Sequence, residues 1–170
     1  MKSTVKKFGI YSSTLLIILF SFSFLIEDYM NYTISEVFGY VSIILALSVI
    51  YFGIKSYRDT INNKTLKFSK GLKIGLLISV FTALTFGLIN VVYTLFINPD
   101  FTTEYYNHSI ETFRETLSDA DFQAKLIELE SQREIFGNPF FNFFLMALTV
   151  FIIGFIISVI SSLILQRKSK

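Results

Sequence analysis

Three polar side chains stand inside an apolar stretch of the sequence, and their types and spacing suit hydrogen-bonding chemistry. Asn90 offers an amide, and Tyr93 and Thr94 add a phenol and a hydroxyl one helical turn further on. An amide in a membrane interior can bind a substrate, but more often it makes an interhelical hydrogen bond worth about 0.5–2 kcal/mol. We interpret Asn90 first as a packing residue and keep open that it lines a substrate path.

A second candidate is the segment of Lys55, Tyr57, Arg58 and Asp59, which ends an apolar run. Tyrosine and basic side chains are favoured where a helix leaves the membrane on its cytoplasmic side. Arg58 could bind an anionic lipid head group or pair with Asp59, and an exposed pair contributes only about 0–1 kcal/mol. We predict a cytoplasmic interface for lipid or partner binding, with Lys55 and Arg58 just past the second helix.

Residues for catalysis or metal binding are scarce. The chain has no cysteine, which excludes disulfides and thiolate nucleophiles or ligands. The single histidine, His108, has no Ser or Asp at a spacing that suggests a triad, and no phosphate-binding or zinc-protease motif is present. We therefore expect no catalytic site, metal site or cofactor, and predict that the protein is not an enzyme. No basic patch outside the membrane-flanking segments supports nucleic-acid binding.

Four apolar stretches must position these residues: about 8–26, 34–54, 72–97 and 140–165. Each offers the roughly 20 apolar residues that a helix needs to cross the hydrocarbon core. The first follows three lysines but lacks the small-residue cleavage site of a signal peptide, so we expect it to be retained. The sequence predicts an all-α membrane protein, with residues 1–170 forming a single domain of four transmembrane helices in an up-down bundle.

Charge is divided unequally among the connections. Twelve of the 15 basic residues lie in segments 1–7, 55–73 and 167–170 with Asp59 as the only acid, which gives these segments a net charge of +11. The other two connections hold three basic residues and 12 acids, among them Glu27, Asp28 and Glu36, for a net charge of −9. Because cytoplasmic loops carry the Lys/Arg excess, we expect an inner-membrane protein with both termini in the cytoplasm and residues 98–139 outside.

Residues 98–139 are acidic and long for a loop, so we predict an extracytoplasmic helical hairpin between the third and fourth spans. Two apolar stripes at helical spacing support two short helices: Tyr106, Ile110, Phe113 and Leu117, then Phe122, Leu126, Leu129 and Phe136. The insertion is either a solvated acidic hairpin, which we favour, or a partner or cation site. It could lie on the membrane or project from it.

Small residues recur every four positions in the third and fourth spans. The first row is Gly71, Gly75, Ser79, Ala83 and Gly87, and the second is Gly154, Ser158 and Ser162. Lipid gives no hydrophobic push between helices, so close backbone approach along such rows holds them together. The rows predict either packing within one chain, which we favour, or the seam of a homodimer.

Local signals place two helix starts. Thr33-Ile34-Ser35-Glu36 has the spacing of a capping box for the second helix. Asn138-Pro139 offers an N-cap and a first-turn proline for the fourth span.

Several segments together resemble a known family. These are residues 51–59 (YFGIKSYRD), 66–75 (LKFSKGLKIG), 98–101 (NPDF), 138–140 (NPF), and Gly154 followed by Ser162-Leu-Ile before a basic tail. They are similar to the bacterial membrane-protein family filed as domain of unknown function 4199, although Asn62-Asn63-Lys64 stands where a turn glycine would be expected. The resemblance implies a four-span bacterial integral membrane protein. It implies no activity, substrate or catalytic residue.

The sequence leaves two functional hypotheses open. The first is a non-enzymatic structural, accessory or regulatory membrane component that acts in the lipid bilayer through helix packing and a protein partner or homo-oligomer. The alternative is an oligomeric transporter or channel for a small molecule or lipid, with the Asn90 region lining the path. A polar cavity around Asn90 would favour transport, and a solid apolar centre would favour the structural role.

Overall fold

A computed structural model describes residues 1–26 and 29–167 of the chain, and residues 132 and 134–136 by their backbone only. Outside the described part lie Glu27, Asp28, Lys168 and Lys170 of the charge count, together with the side chains of Glu134 and Phe136. The elements are α1 (Lys2–Leu25), α2 (Tyr32–Thr60), α3 (Phe68–Val92), a π-helix (Tyr93–Ile97), α4 (Phe101–Thr116), α5 (Asp119–Phe136) and α6 (Pro139–Leu165).

Four of these helical segments are long and apolar enough to cross a membrane. They are Lys2–Leu25, Tyr32–Thr60, Phe68–Ile97 and Pro139–Leu165. The all-α prediction and its four apolar helices are therefore confirmed, and the described residues contain one isolated β-bridge and no strand.

The helices begin and end at different residues from the apolar stretches of the sequence. Helix α1 already begins at Lys2, and α2 continues through Thr60, so Lys55 and Arg58 lie on the helix and not past its end as predicted. The cause is that apolar windows mark the depth of the hydrocarbon core, whereas Lys and Arg are themselves good helix formers. A helix therefore continues beyond the apolar window until turn residues stop it.

One of the two predicted helix starts is wrong and the other is confirmed. Helix α2 is capped by Asn31, whose side-chain Oδ1 accepts a hydrogen bond from Ile34 N at 2.8 Å, and not by the expected box at Thr33. Asn precedes Thr in N-cap preference, so the earlier amide is used. At α6, Asn138 Oδ1 accepts from Phe140 N at 3.0 Å and from Phe141 N at 3.2 Å, with Pro139 in the first turn.

The chain divides into two compact units. Unit 1 comprises Met1–Phe86 and Ala147–Lys170, and unit 2 comprises Gly87–Met146.

The interior of unit 1 is filled by aliphatic side chains and tied by hydroxyl groups. The largest fully buried aliphatic residues in its described part are Leu16, Leu47, Ile50, Ile54, Leu66, Ile74, Ile78 and Val150. Ser12 Oγ on α1 donates to Ala46 O on α2 at 2.7 Å, and it lies 2.7 Å from Thr82 Oγ1 on α3. This network joins three helices and satisfies the buried hydroxyl groups of Ser12 and Thr82, as buried polar groups require.

In unit 2, α4 packs against α5. Three aromatic residues of the two predicted stripes, Tyr106, Phe113 and Phe122, are covered by cationic side chains of the facing helix. The Arg133 guanidinium lies 4.9 Å from the Tyr106 ring centre, and the Lys125 ammonium lies 5.5 Å from that of Phe113. Such cation–π contacts stabilise by about 0.5–1 kcal/mol at exposed sites, so the α4–α5 contact has aromatic rings inside and charges at its edges.

Candidate functional site

The small residues of α3 and α6 face each other along an antiparallel contact within unit 1. A Cβ atom built on Gly71 would lie 3.2 Å from Ser162 Cβ, and one built on Gly75 would lie 2.7 Å from Ser158 Cβ. At the third level the glycine is on α6 and the serine is on α3, because a Cβ built on Gly154 would lie 2.7 Å from Ser79 Cβ. The two rows predicted from sequence thus meet each other, and at each of these three levels a glycine of one helix lies opposite a serine of the other.

Four of these residues form a reciprocal set, which we call the seam quartet: Gly75, Ser79, Gly154 and Ser158. Ser79 Oγ donates to Gly75 O at 2.9 Å, and Ser158 Oγ donates to Gly154 O at 2.6 Å. Each hydroxyl is therefore satisfied within its own helix, four residues back, while its Cβ packs on the glycine of the other helix. The contact is close, and both quartet hydroxyls have a hydrogen-bond partner.

Two aliphatic side chains of α2 pack against the contact between α3 and α6. Ile50 Cγ2 lies 3.1 Å from a Cβ built on Gly75, and Leu47 Cδ2 lies 3.3 Å from one built on Gly154. Both aliphatic residues are fully buried. The seam quartet is thus the point where three helices meet. Its chemistry is dispersion and close backbone approach.

The other residues of the two small-residue rows do not all follow the glycine–serine pairing of the quartet. Ser162 Oγ is buried, and no residue in the described ranges forms a hydrogen bond with it. Ala83 is buried in unit 1. In unit 2, Gly87 lies against the backbone of α6, where a Cβ would meet Phe143 O at 2.8 Å.

The segment at the end of α2 is held in place rather than exposed as a free interface. Arg58 Nε and Nη2 donate to the two carboxylate oxygens of Asp59 at 2.7 and 3.2 Å, and Nη1 lies 3.4 Å from Leu165 O. Leu165 is the last residue of α6, so the guanidinium complements the negative end of that helix. Tyr57 is buried beneath the Lys70 ammonium, which lies 6.0 Å from its ring centre, and Lys55 is exposed.

The connection between α2 and α3 is joined to the end of α6 by backbone hydrogen bonds. Leu66 N donates to Arg167 O at 2.9 Å, and Arg167 N donates to Leu66 O at 2.8 Å. The turn before this bridge uses the left-handed conformation at Asn63 (φ 47°) and Lys64 (φ 60°). Asn tolerates that conformation, so the turn forms although the expected glycine is missing.

The polar group of the third span lies in unit 2, where the helix widens. Thr94 Oγ1 donates to Asn90 O at 3.0 Å, and Asn98 N donates to Tyr93 O at 2.8 Å across the π-helix. Tyr93 is buried, with its ring centre 5.3 Å from that of Phe101 in an edge-on contact. Asn90 Oδ1 is buried and has no hydrogen-bond partner among the described residues.

A second amide, which was not singled out from the sequence, shares this feature. Asn142, three residues into α6 after Pro139, is 6% exposed, and its Oδ1 has no hydrogen-bond partner within the described part of the chain. The available signal was an amide in an otherwise apolar helix. Carbonyl acceptors left unpaired in a low-dielectric interior cost about 1–3 kcal/mol each, and π-helical turns often mark functional positions. Asn90 Oδ1 and Asn142 Oδ1 are therefore two buried acceptors of unit 2 whose hydrogen-bonding capacity is not used by the described residues.

His108 lies exposed on α4. Within residues 1–26 and 29–167, no group of three or more His, Asp or Glu residues could hold a metal ion.

These features define a class: an all-helical protein with four apolar helices of membrane-spanning length and a glycine–serine seam. Residues 7–167 match the model of the family described as "Protein of unknown function (DUF4199)", and the chain belongs to that family. The resemblance of the 51–59 and 66–75 segments to this family is thereby confirmed. Comparison with the curated proteins found no match, and comparison with the solved structures found none either.

The seam generates a stability prediction with a matched control. Gly75→Ala should lower the Tm in detergent, because the added methyl group meets Ser158 near the backbone and overpacking costs about 1–3 kcal/mol. Gly39→Ala, on α2, meets nothing closer than Phe20 Cζ at 4.0 Å. It should leave the Tm unchanged or raise it, since alanine is the better helix former by roughly 1 kcal/mol. Equal effects of the two substitutions would contradict the seam.

The Arg58 contacts generate a second prediction. Arg58→Ala should speed hydrogen exchange of the Gln166 and Arg167 amides by on the order of tenfold, because the last carbonyl of α6 loses a charged donor worth about 1.5 kcal/mol. Exchange followed by mass spectrometry of the C-terminal peptide measures this. Lys55→Ala removes the same charge about one turn earlier on α2, at an exposed position, and should leave the exchange unchanged. If Lys55→Ala has the same effect, general electrostatics and not this contact protects the α6 terminus.

Proposed function

We propose that this protein is a non-enzymatic accessory or regulatory component of the cell inner membrane, a helical scaffold that acts by binding a partner protein. The observation that carries the proposal is where the small residues of α3 and α6 pack. The small residues that could have formed a docking stripe pack on one another within the chain, and aliphatic side chains fill the interior of unit 1. A solid centre of this kind suits a scaffold better than a transport path.

The proposed arrangement is an up-down bundle of α1, α2, α3 and α6 with both termini in the cytoplasm. The contacts Phe8–Gly53, Gly71–Ser162 and Leu66–Arg167 bring the basic ends of these four helices to one end of unit 1. The excess of Lys and Arg at that end supports a cytoplasmic location. Residues 98–139, with α4 and α5, would then form the extracytoplasmic insertion.

The proposed partner contact is the acidic surface of α4 and α5. Exposed carboxylates lie along both helices: Glu104, Glu111, Glu115, Asp119, Asp121, Glu128 and Glu130. A second copy of the chain would present the same acidic surface there and be repelled, whereas a basic surface on a different protein would be attracted. We therefore propose a partner with a basic extracytoplasmic surface. A homo-oligomer would have to use the lipid-facing sides of the spans instead.

A second candidate function, a transport path, is favoured by one specific observation. Asn90 and Asn142, both in unit 2, carry buried carbonyl oxygens to which none of the described residues donates a hydrogen bond. Polar groups inside membranes are expensive and often mark substrate pathways. Under this candidate the chain would be an oligomeric carrier or channel, and the two amides would bind the solute.

The orientation can be tested because the chain has no native cysteine. A membrane-impermeant thiol reagent applied to intact cells should label Ser118→Cys, between α4 and α5, and should not label Asn63→Cys, between α2 and α3. After the cells are lysed, both variants should react, which serves as the control for accessibility. The reverse labelling pattern in intact cells would contradict the proposed orientation.

The function itself can be tested by copurification in mild detergent. The full chain should retain one protein in stoichiometric amount, and the double variant Glu111→Lys/Glu115→Lys should lose it because the partner surface is basic. Glu36→Lys, an equally exposed charge reversal on α2, should retain it. If no protein is retained and liposomes containing the pure chain show a solute flux that Asn142→Leu abolishes, the transport candidate replaces the scaffold.

A further inference from the structure

An open groove of about 350 Å³ runs between the first turns of α1 and the middle of α3, within unit 1. Its walls are apolar, with Val5 and Ile10 contributed by α1, and Leu77 and Phe81 by α3. Ile10, Leu77 and Phe81 remain 39% to 47% exposed. In a membrane these side chains would face lipid, so the groove is an indentation of the helical surface that an acyl chain can enter.

A glycine on α1 shapes this groove. A Cβ atom built on Gly9 would lie 2.7 Å from Cγ of the Phe81 ring, so the ring rests directly on the α1 backbone. Gly9 and the neighbouring Val5 are buried, whereas Ile10 is exposed. The close approach of ring and backbone fixes the position of Phe81 and gives the groove a rigid wall.

The groove also carries positive charge. Lys2 and Lys6 line it together with the apolar residues, and their spacing of four places them on one side of α1. Helix α1 contains no Asp or Glu, and among the described residues neither lysine takes part in an ion pair. Lys7 differs, because its ammonium lies 5.7 Å from the ring centres of Phe8 and Tyr11 and does not line the groove.

We propose that this groove binds an anionic phospholipid. One acyl chain would lie against Ile10, Leu77 and Phe81, and the phosphate would contact the ammonium groups of Lys2 and Lys6. Basic pockets between membrane helices bind acidic head groups, and each lysine near the membrane surface strengthens the attraction. The apolar stems of the two lysines can extend along the groove while their charged ends reach the head-group region. The inference rests on the proposed membrane location but is independent of the partner protein and of the orientation.

Native mass spectrometry of the full chain in a neutral detergent tests the proposal with two lipids. Dioleoyl phosphatidylglycerol and dioleoyl phosphatidylcholine have the same acyl chains and differ in head-group charge. The first should bind at least about tenfold more tightly. The double variant Lys2→Gln/Lys6→Gln should weaken phosphatidylglycerol binding by about 30-fold, and Lys7→Gln, which removes a charge next to Lys6, should leave it nearly unchanged.

A separate variant tests the contribution of the apolar groove to lipid binding. Leu77→Trp should fill the groove and weaken the binding of both lipids, whereas Leu45→Trp, at an exposed position on α2, should not. The Tm of each variant without added lipid shows whether it is folded. If Leu77→Trp does not fold, the comparison of Lys2→Gln/Lys6→Gln with Lys7→Gln still tests the proposal.

Three results would each overturn the proposal. Equal affinity for the two lipids would remove the charge argument. An equal loss in Lys7→Gln would mean that the basic surface attracts lipid without a defined site. Displacement of phosphatidylglycerol by glycerol 3-phosphate at comparable concentration would mean that the head group alone is bound and the groove is not used.

Discussion

The close approach of α3 and α6 is the contact on which the rest of the described architecture depends. Between membrane helices no hydrophobic force operates, so association requires backbones near enough for many weak contacts. In the seam quartet, each glycine provides the space and each serine fills the space of the opposite helix. Because each serine hydroxyl bonds its own helix, the contact contains no unsatisfied polar atom at these two levels.

Other features of unit 1 follow from this contact. Leu47 and Ile50 of α2 can pack on the quartet glycines only because α3 and α6 are already close. The same antiparallel register carries the end of α6 to the α2–α3 connection, where Leu66 pairs with Arg167 and Arg58 reaches Leu165. The basic residues of the connection are therefore attached to a fixed backbone.

The sequence was informative where a local pattern determines the structure and uninformative where tertiary contacts do. The four-residue spacing identified both small-residue rows, and Asn138-Pro139 identified the start of α6, because spacing and capping are local. Which glycine faces which serine depends on the antiparallel register, and that register is a property of the folded chain. The prediction of polar groups inside the spans covered the ionisable residues and Asn90 only, so Asn142 was not part of it. The groove could not be predicted, since Gly9 and Phe81 are distant in sequence and meet only in the structure.

The most direct test of the seam is a disulfide across it. A Cβ built on Gly71 lies 3.2 Å from Ser162 Cβ, a few tenths of an ångström below the usual range for a disulfide, and no native cysteine competes. Mild oxidation of the Gly71→Cys/Ser162→Cys variant in membranes should give an intrachain disulfide, seen as a faster-migrating monomer that reverts on reduction. Gly71→Cys alone should remain monomeric. Covalent dimers from both variants, with no intrachain product, would place the seam between two chains and contradict the packing described above.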